Sequence, residues 1–230
     1  MLVKWGSIIV KGSGKLGGHV YSGGRSGASV HTSARARNPQ TIYQTEVRSR
    51  FTQFTQSWRD LTESQRETWY DAESSFSRTN RFGDVVTLSG KNLYESLNTE
   101  RAVIGLNAID IAPMPKLIQK NILTKVEIYK SIPNIAIFGE YQPSAVYVVV
   151  GSKAVSQGVK NAKGDLKIIS VNNANGSGTL LTGALGIYNS YVERFGIPME
   201  GEKIFIGTYS INVSGQRSPV ASVVASFKIP

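Results

Sequence analysis

Gly12-Ser13-Gly14-Lys15-Leu16-Gly17 follows the apolar run Ile8-Ile9-Val10 and fits G-x-G-x-x-G. In a dinucleotide site that pattern joins a strand to a helix whose N-terminus holds a pyrophosphate. The third glycine should open the helix, and a carboxylate about 20 residues on should meet the ribose. Here Gly18 and more glycine follow, and the first acidic residue is Glu46. It is not a P-loop either, because Lys15 precedes Leu16 and residue 9 is Ile. His19 and His31 are the chain's two histidines, there is no cysteine, and residues 1–45 hold no carboxylate. A metal site or a His-based acid–base pair lacks its other members. Glu63 with Glu67, and Glu200 with Glu202, are paired carboxylates of the kind glycosidases use. The first pair falls in the opening turns of a helix, where negative charge complements the dipole. The second falls in a turn around Gly201. These readings lead us to expect no enzyme, no cofactor and no metal.

Two other groups of residues point to binding. Tyr43, Val47, Phe51, Phe54 and Trp58 recur at spacings of four, four, three and four, and Trp69 and Phe76 continue an aromatic series. Such a stripe is the buried face of a helix, a surface for another subunit, or a platform for stacked bases. Six cations, Lys4, Lys11, Lys15, Arg25, Arg35 and Arg37, stand in residues 1–45 among Trp5, His19 and Tyr21. A basic segment without acidic residues seeks an acidic partner. Its cations are sparse for a single-strand binder. Pairing with acidic faces of neighbouring proteins is therefore preferred over DNA phosphates.

These residues must be positioned by three kinds of element. Residues 1–37 hold eight glycines between Gly6 and Gly27, with short apolar pieces between them. This reads as an extended Gly-rich basic arm broken by tight turns. Residues 38–105 read as a helical assembly segment. Asn38-Pro39 suits an N-cap followed by the first helical position. Thr62-Glu63-Ser64-Gln65 has the form of a capping box. A third helix starts near Ser89 and ends at Gly105, and residues 80–84 form a turn between helices. Residues 106–121, with Pro113 and Pro115, read as a linker. Residues 122–230 read as β, with runs at 125–129, 135–138, 145–150, 166–171, 179–181, 203–213 and 220–229. Seven short strands separated by turn signals fit an immunoglobulin-like antiparallel β-sandwich. The expected class is α+β.

Composition sets the outer limits. The chain has 230 residues, of which 40% are hydrophobic and 18% charged, enough for packed cores. The net charge is +10, uneven along the chain: ten basic and ten acidic residues fall in 46–120, ten and six in 121–230. No apolar run is long enough to cross a membrane, and the N-terminal run is too short for a signal-peptide core. The expectation is a chain with no secretory leader and no membrane partner.

Residues 209–219, Tyr-Ser-Ile-Asn-Val-Ser-Gly-Gln-Arg-Ser-Pro, resemble the end of a fibronectin type III module. A second resemblance covers about residues 10–105. Its blocks are residues 14–21 (Gly-Lys-Leu-Gly-Gly-His-Val-Tyr), 38–41 (Asn-Pro-Gln-Thr) with Gln44, and 48–51 (Arg-Ser-Arg-Phe). Further blocks are 58–66 (Trp-Arg-Asp-Leu-Thr-Glu-Ser-Gln-Arg) with Trp69, 80–83 (Asn-Arg-Phe-Gly) and 88–94 (Leu-Ser-Gly-Lys-Asn-Leu-Tyr). Together they resemble small structural proteins of tailed bacteriophages. The resemblance implies a virion component, made in the host cytoplasm, whose partners are further copies and other virion proteins. A head-exterior or head–tail connecting position is favoured over a distal fibre, which would show repeats. The expected assembly surfaces are the arm (Lys4, Trp5, Lys11, Lys15, His19, Tyr21, Arg25, Arg35, Arg37) and the helical stripe (Tyr43, Phe51, Phe54, Trp58, Trp69). The alternatives are a host-surface or glycan-binding module, recognising its ligand through loops such as residues 172–178 with loop aromatics around Tyr188 and Tyr191, and a DNA-binding protein.

Overall fold

A computed structural model of the chain describes residues 2–4, 12–24, 27–34, 38–80, 82–129, 134–140, 146–162, 165–172, 185–199 and 201–226. The chain is α+β and divides into two compact units. The first comprises residues 1–96 and 109–115, the second residues 97–108 and 116–230.

In the first unit, the described part of the glycine-rich segment pairs with itself. Strands β1 (Leu2–Val3), β2 (Gly14–Leu16), β3 (His19–Gly24) and β4 (Gly27–Thr32) form an antiparallel sheet in the order β1-β4-β3-β2. The turn from Leu16 to His19 is only two residues long and places Gly17 at φ 56. That left-handed conformation is one that a side chain resists. No residue of the four strands is fully buried, because alternate positions offer glycine, serine or lysine rather than bulky apolar groups.

Three helices follow. Helix α1 spans Ile42–Asp60, with Thr41 as its cap: the Thr41 hydroxyl accepts a hydrogen bond from the Gln44 amide at 3.3 Å. This corrects the expected start at Asn38-Pro39. Gln40 lies at φ 50, outside helical space, so no helix can run through it. Asn38 instead accepts a hydrogen bond from the Arg48 guanidinium at 2.7 Å. Helix α2 (Glu63–Asp71) has the complete capping box, with Gln65 accepting from the Thr62 amide at 2.8 Å. The short pair β5 (Arg78–Thr79) and β6 (Val85–Val86) flanks the turn at 80–84. Helix α3 (Gly90–Val103) contributes residues to both units.

The first unit's core is aromatic. Trp69 is fully buried, Phe54, Trp58, Leu61, Leu93 and Tyr94 nearly so. Tyr94 meets Trp58 with ring centres 5.4 Å apart and Trp69 edge to face at 5.3 Å. The polar edges of these rings are paired: Trp69 Nε1 donates to the Asp110 carbonyl at 2.8 Å, and the Tyr94 and Ser57 hydroxyls lie 2.9 Å apart. Burial pushes the Tyr94 hydroxyl above its ordinary value.

The second unit contains β7 (Ile122–Tyr129), β8 (Asn134–Glu140), β9 (Val146–Gly151), β10 (Lys167–Asn172), α4 (Leu185–Phe195), β11 (Lys203–Ile211) and β12 (Ala221–Ser226). The four-stranded antiparallel sheet runs β10-β9-β11-β12, and β7 and β8 pair as a hairpin. Side chains alternate across β11, as the pleat requires. Ile204 and Ile206 join Val126, Ile135, Ile137, Val149, Ile187 and Tyr191 in one core, between sheet, hairpin and α4. Tyr209 and Ile211 join Val148 and Val150 in a second, with Val103 and Ile104 packed against it.

Helix α4 differs from the all-strand expectation. Ile187, Tyr188, Tyr191, Val192 and Phe195 lie on one helical face and all pack on the first of these cores. The expected strand at 179–181 lies outside the described residues.

A closed polar group ties the segment before β7 to β11. Asn121, itself buried, donates to the Thr208 hydroxyl at 3.3 Å and accepts from Ser210 at 2.7 Å. The Ser218 hydroxyl accepts from the Ser210 amide at 2.9 Å. Gly215 sits at φ 79 with its α-carbon against the Leu97 carbonyl, where a side chain would collide.

Glu100 is held in a largely buried position, 3.0 Å from Arg217. Burial raises its carboxyl above the ordinary value, while Arg217 pulls it down. A raised carboxyl favours the protonated folded state, so its cost to stability grows as pH rises above about 4.5. Arg217→Ala removes the compensating charge. We expect a loss of about 1–3 kcal/mol at pH 7, below the range for a fully buried orphaned charge because Glu100 keeps some solvent. The loss should shrink at pH 4 and be mostly recovered by adding Glu100→Gln. Urea unfolding at both pH values checks this, and an equal loss at pH 4 and 7 would refute it.

Candidate functional site

The structure gives each catalytic motif of the sequence a structural setting. Gly14–Leu16 is a strand followed by a turn and another strand, so no helix opens at the G-x-G-x-x-G pattern. His19 stands opposite Thr32 and His31 opposite Val20. Among the described residues no group of three or more His, Cys, Asp or Glu could hold a metal ion. Glu63 pairs with Arg66 at 3.3 Å in the first turn of α2, and Glu67 is exposed. Glu202 accepts from the Met199 amide at 2.7 Å, and Glu200 lies outside the described residues.

Of the arm residues, Trp5, Lys11, Arg25, Arg35 and Arg37 lie outside the described residues. Lys15 and His19 are exposed on β2 and β3, and Tyr21 is half-buried on β3. Lys4 follows β1 directly and reaches the turn at 80–84. Its ammonium lies 2.9 Å from the Asp84 carboxylate and 5.5 Å from the centre of the Phe82 ring. Asn80 organises that turn. Its side-chain carbonyl accepts from the Phe82 amide at 2.8 Å and the Asp84 amide at 3.0 Å, while its Nδ2 donates to Asp84 at 3.1 Å. Leu2, Val3, Gly27 and Ala28 from the sheet and Asn80, Phe82 and Asp84 from the turn line an open groove of about 330 Å³. The expected turn at 80–84 is present, but its spacing gives no sign that Phe82 and Asp84 receive Lys4.

The aromatic stripe divides in two. Phe54, Trp58 and Trp69 belong to the core of the first unit. Tyr43 and Phe51 are 38% and 53% exposed, and Val47 between them is 58% exposed. The division follows position along α1. At about 100° per residue, Val47 and Phe51 lie on the same line as Phe54 and Trp58. The inner two turns of that line are packed, while every residue from 42 to 53 is exposed or only half-buried. Arg48 and Arg50 flank the outer part of the line. Arg50 lies 3.9 Å from Glu46.

The expected loop aromatics fare differently. Tyr191 is fully buried in α4, where its hydroxyl donates to the Ser152 carbonyl at 3.2 Å, and Tyr188 is half-buried. Neither stands at an exposed loop tip, and residues 173–178 of the other expected loop lie outside the described residues. Among the described residues no helix is long and apolar enough to cross a membrane.

No protein-family model matches the chain, and no curated protein matches it.

The Lys4 contact yields a test. The hydrogen bond from Lys4, helped by Asn80, holds the Asp84 carboxyl below its ordinary value. A depressed carboxyl stabilises above the unfolded value of about 3.9 and loses that contribution as pH falls. Both partners are exposed, so added salt weakens the pair. Asp84→Asn should speed protease cleavage within residues 1–37 at pH 7 in 50 mM salt, and wild type in 500 mM salt should approach the variant. Identical cleavage rates for the two proteins at low salt would remove the contact as the arm's anchor.

Proposed function

We propose that the chain is a non-enzymatic structural component of a tailed-phage virion, at the head exterior or in the head–tail connection. The observation that carries this reading is the divided stripe of α1. One apolar line continues from a packed core onto turns where Val47 and Phe51 stand 58% and 53% exposed. A helical segment of about twelve residues is marginal in water by itself, so such turns suit a surface completed by another protein. The basic N-terminal segment adds a second contact, its sheet offering the exposed Lys15 and His19 to acidic faces of neighbours. Glycine permits close backbone approach there. Many copies repeating such contacts in a ring or lattice gain strength by avidity.

The second unit supplies a rigid module. The sheet order β10-β9-β11-β12, with side chains of the β7–β8 hairpin sharing a core with it, supports an immunoglobulin-like reading. In that reading the four strands form the larger sheet, and α4 covers the face where further opposing strands would stand.

The test is mass fingerprinting of density-purified particles from lysates of cells carrying the gene. The chain should be present in several copies per particle, and its confinement to the soluble fraction would overturn the reading. Two substitutions separate folding from assembly. Phe54→Ala should cost about 3–4 kcal/mol of stability. Phe51→Asp should change stability by less than about 0.5 kcal/mol yet reduce incorporation into particles. Normal incorporation of Phe51→Asp would remove α1 from the assembly surface.

A further inference from the structure

We propose that the outer turns of α1 dock into an apolar groove rimmed by carboxylates on a different protein, and not onto a second copy of this chain. The inference rests on the reading of α1 as an assembly surface and adds the chemistry of its partner.

Two apolar side chains carry the contact. Val47 and Phe51 are 58% and 53% exposed, one turn apart, in line with the buried Phe54 and Trp58. A helix that offers anchors at this spacing is recognised by a groove that takes its apolar face. What borders the anchors decides the partner. Arg50 lies about 60° to one side of the Val47 direction and Arg48 about 100° to the other. Arg48 is exposed, and its guanidinium is hydrogen-bonded to the neutral Asn38 side chain, which leaves its charge in place. Arg50 stands 3.9 Å from Glu46, a pair too long and too exposed to cancel it.

The same charges disfavour self-pairing. With two copies antiparallel across Val47 and Phe51, Arg48 and Arg50 of one face Arg48 and Arg50 of the other. With two copies parallel, the Arg50 side of one meets the Arg48 side of the other. Like charges so placed oppose association and reject that partner. A rim of Asp and Glu on the receiving groove meets both arginines.

The probe stands for one wall of such a groove: a fluorescein-labelled 21-residue helical peptide with leucine at the a and d heptad positions and glutamate at e and g. It is titrated into the full-length chain beside the same peptide carrying lysine at e and g. We expect the glutamate peptide to bind at least tenfold more tightly in 50 mM salt, with the ratio falling in 500 mM salt. Phe51→Asp should abolish binding without moving the melting curve. Arg48→Glu with Arg50→Glu should reverse the preference toward the lysine peptide, a result that no unfolding artefact produces. Equal binding of the two peptides, or binding of neither, overturns the proposal. So does concentration-dependent self-association of the wild-type chain in sedimentation that Phe51→Asp removes, which would make a second copy the occupant. Binding to 1:1 phosphatidylglycerol–phosphatidylcholine vesicles that is lost in Phe51→Asp would make the occupant a lipid surface. The virion reading fails separately, by absence of the chain from particles, whatever the peptides do.

Discussion

The first unit depends on the meeting of three rings. Trp58 from α1, Trp69 from α2 and Tyr94 from α3 touch at centre distances of 5.3 and 5.4 Å, and they are among the unit's largest buried groups. Three short helices enclose little volume, so large rings are the economical way to fill it. The polar edges of the rings set further constraints. A buried indole N–H without an acceptor would be costly, and the Asp110 carbonyl supplies one. That bond fixes residues 109–115 to the helices, and Ala112 adds a second by donating to the Thr68 hydroxyl at 3.1 Å. Close approach is needed too: the Gly90 α-carbon lies against the Trp69 carbonyl and the Tyr70 ring, so α3 begins where only hydrogen fits.

The second unit is organised around one strand. β11 is buried on both faces and paired along both edges, which explains its near-continuous run of apolar and small residues. Thr208 and Ser210 are the polar exceptions, and Asn121 and Ser218 satisfy them. A buried polar group of this kind admits one register. Sliding the strand by a single residue would leave several donors and acceptors without partners.

Much of this was legible in the sequence. The helical stripe announced α1, the Thr62–Gln65 spacing announced α2, and the β-rich runs announced most strands of the second unit. What was misread had local causes. The start of α1 was placed at Asn38-Pro39 because that pair suits a cap, while the left-handed Gln40 and the capping Thr41 decide the matter. Helix α4 was missed although Ile187, Tyr188, Tyr191, Val192 and Phe195 carry its period, because the surrounding segment read as strand and turn throughout. The pairing of the glycine-rich strands into one sheet could not be seen, since register among residues with so few bulky side chains leaves no alternating pattern. The stripe itself was found correctly, but where along it the core stops is set by how far α2 and α3 reach, which no local spacing records.

The split of α1 into a packed inner end and an open outer end has an evolutionary consequence. Residues 42–53 are exposed or half-buried and carry little of the load of folding, so under the docking proposed above substitutions there are filtered by recognition rather than by stability. The inner turns cannot drift so freely, because Phe54 and Trp58 share their core with two other helices. A lineage could therefore re-address this chain to a changed partner by altering a few outer positions, without first acquiring compensating mutations in the body. Under that proposal stability and specificity occupy the same helix, yet they are separately heritable.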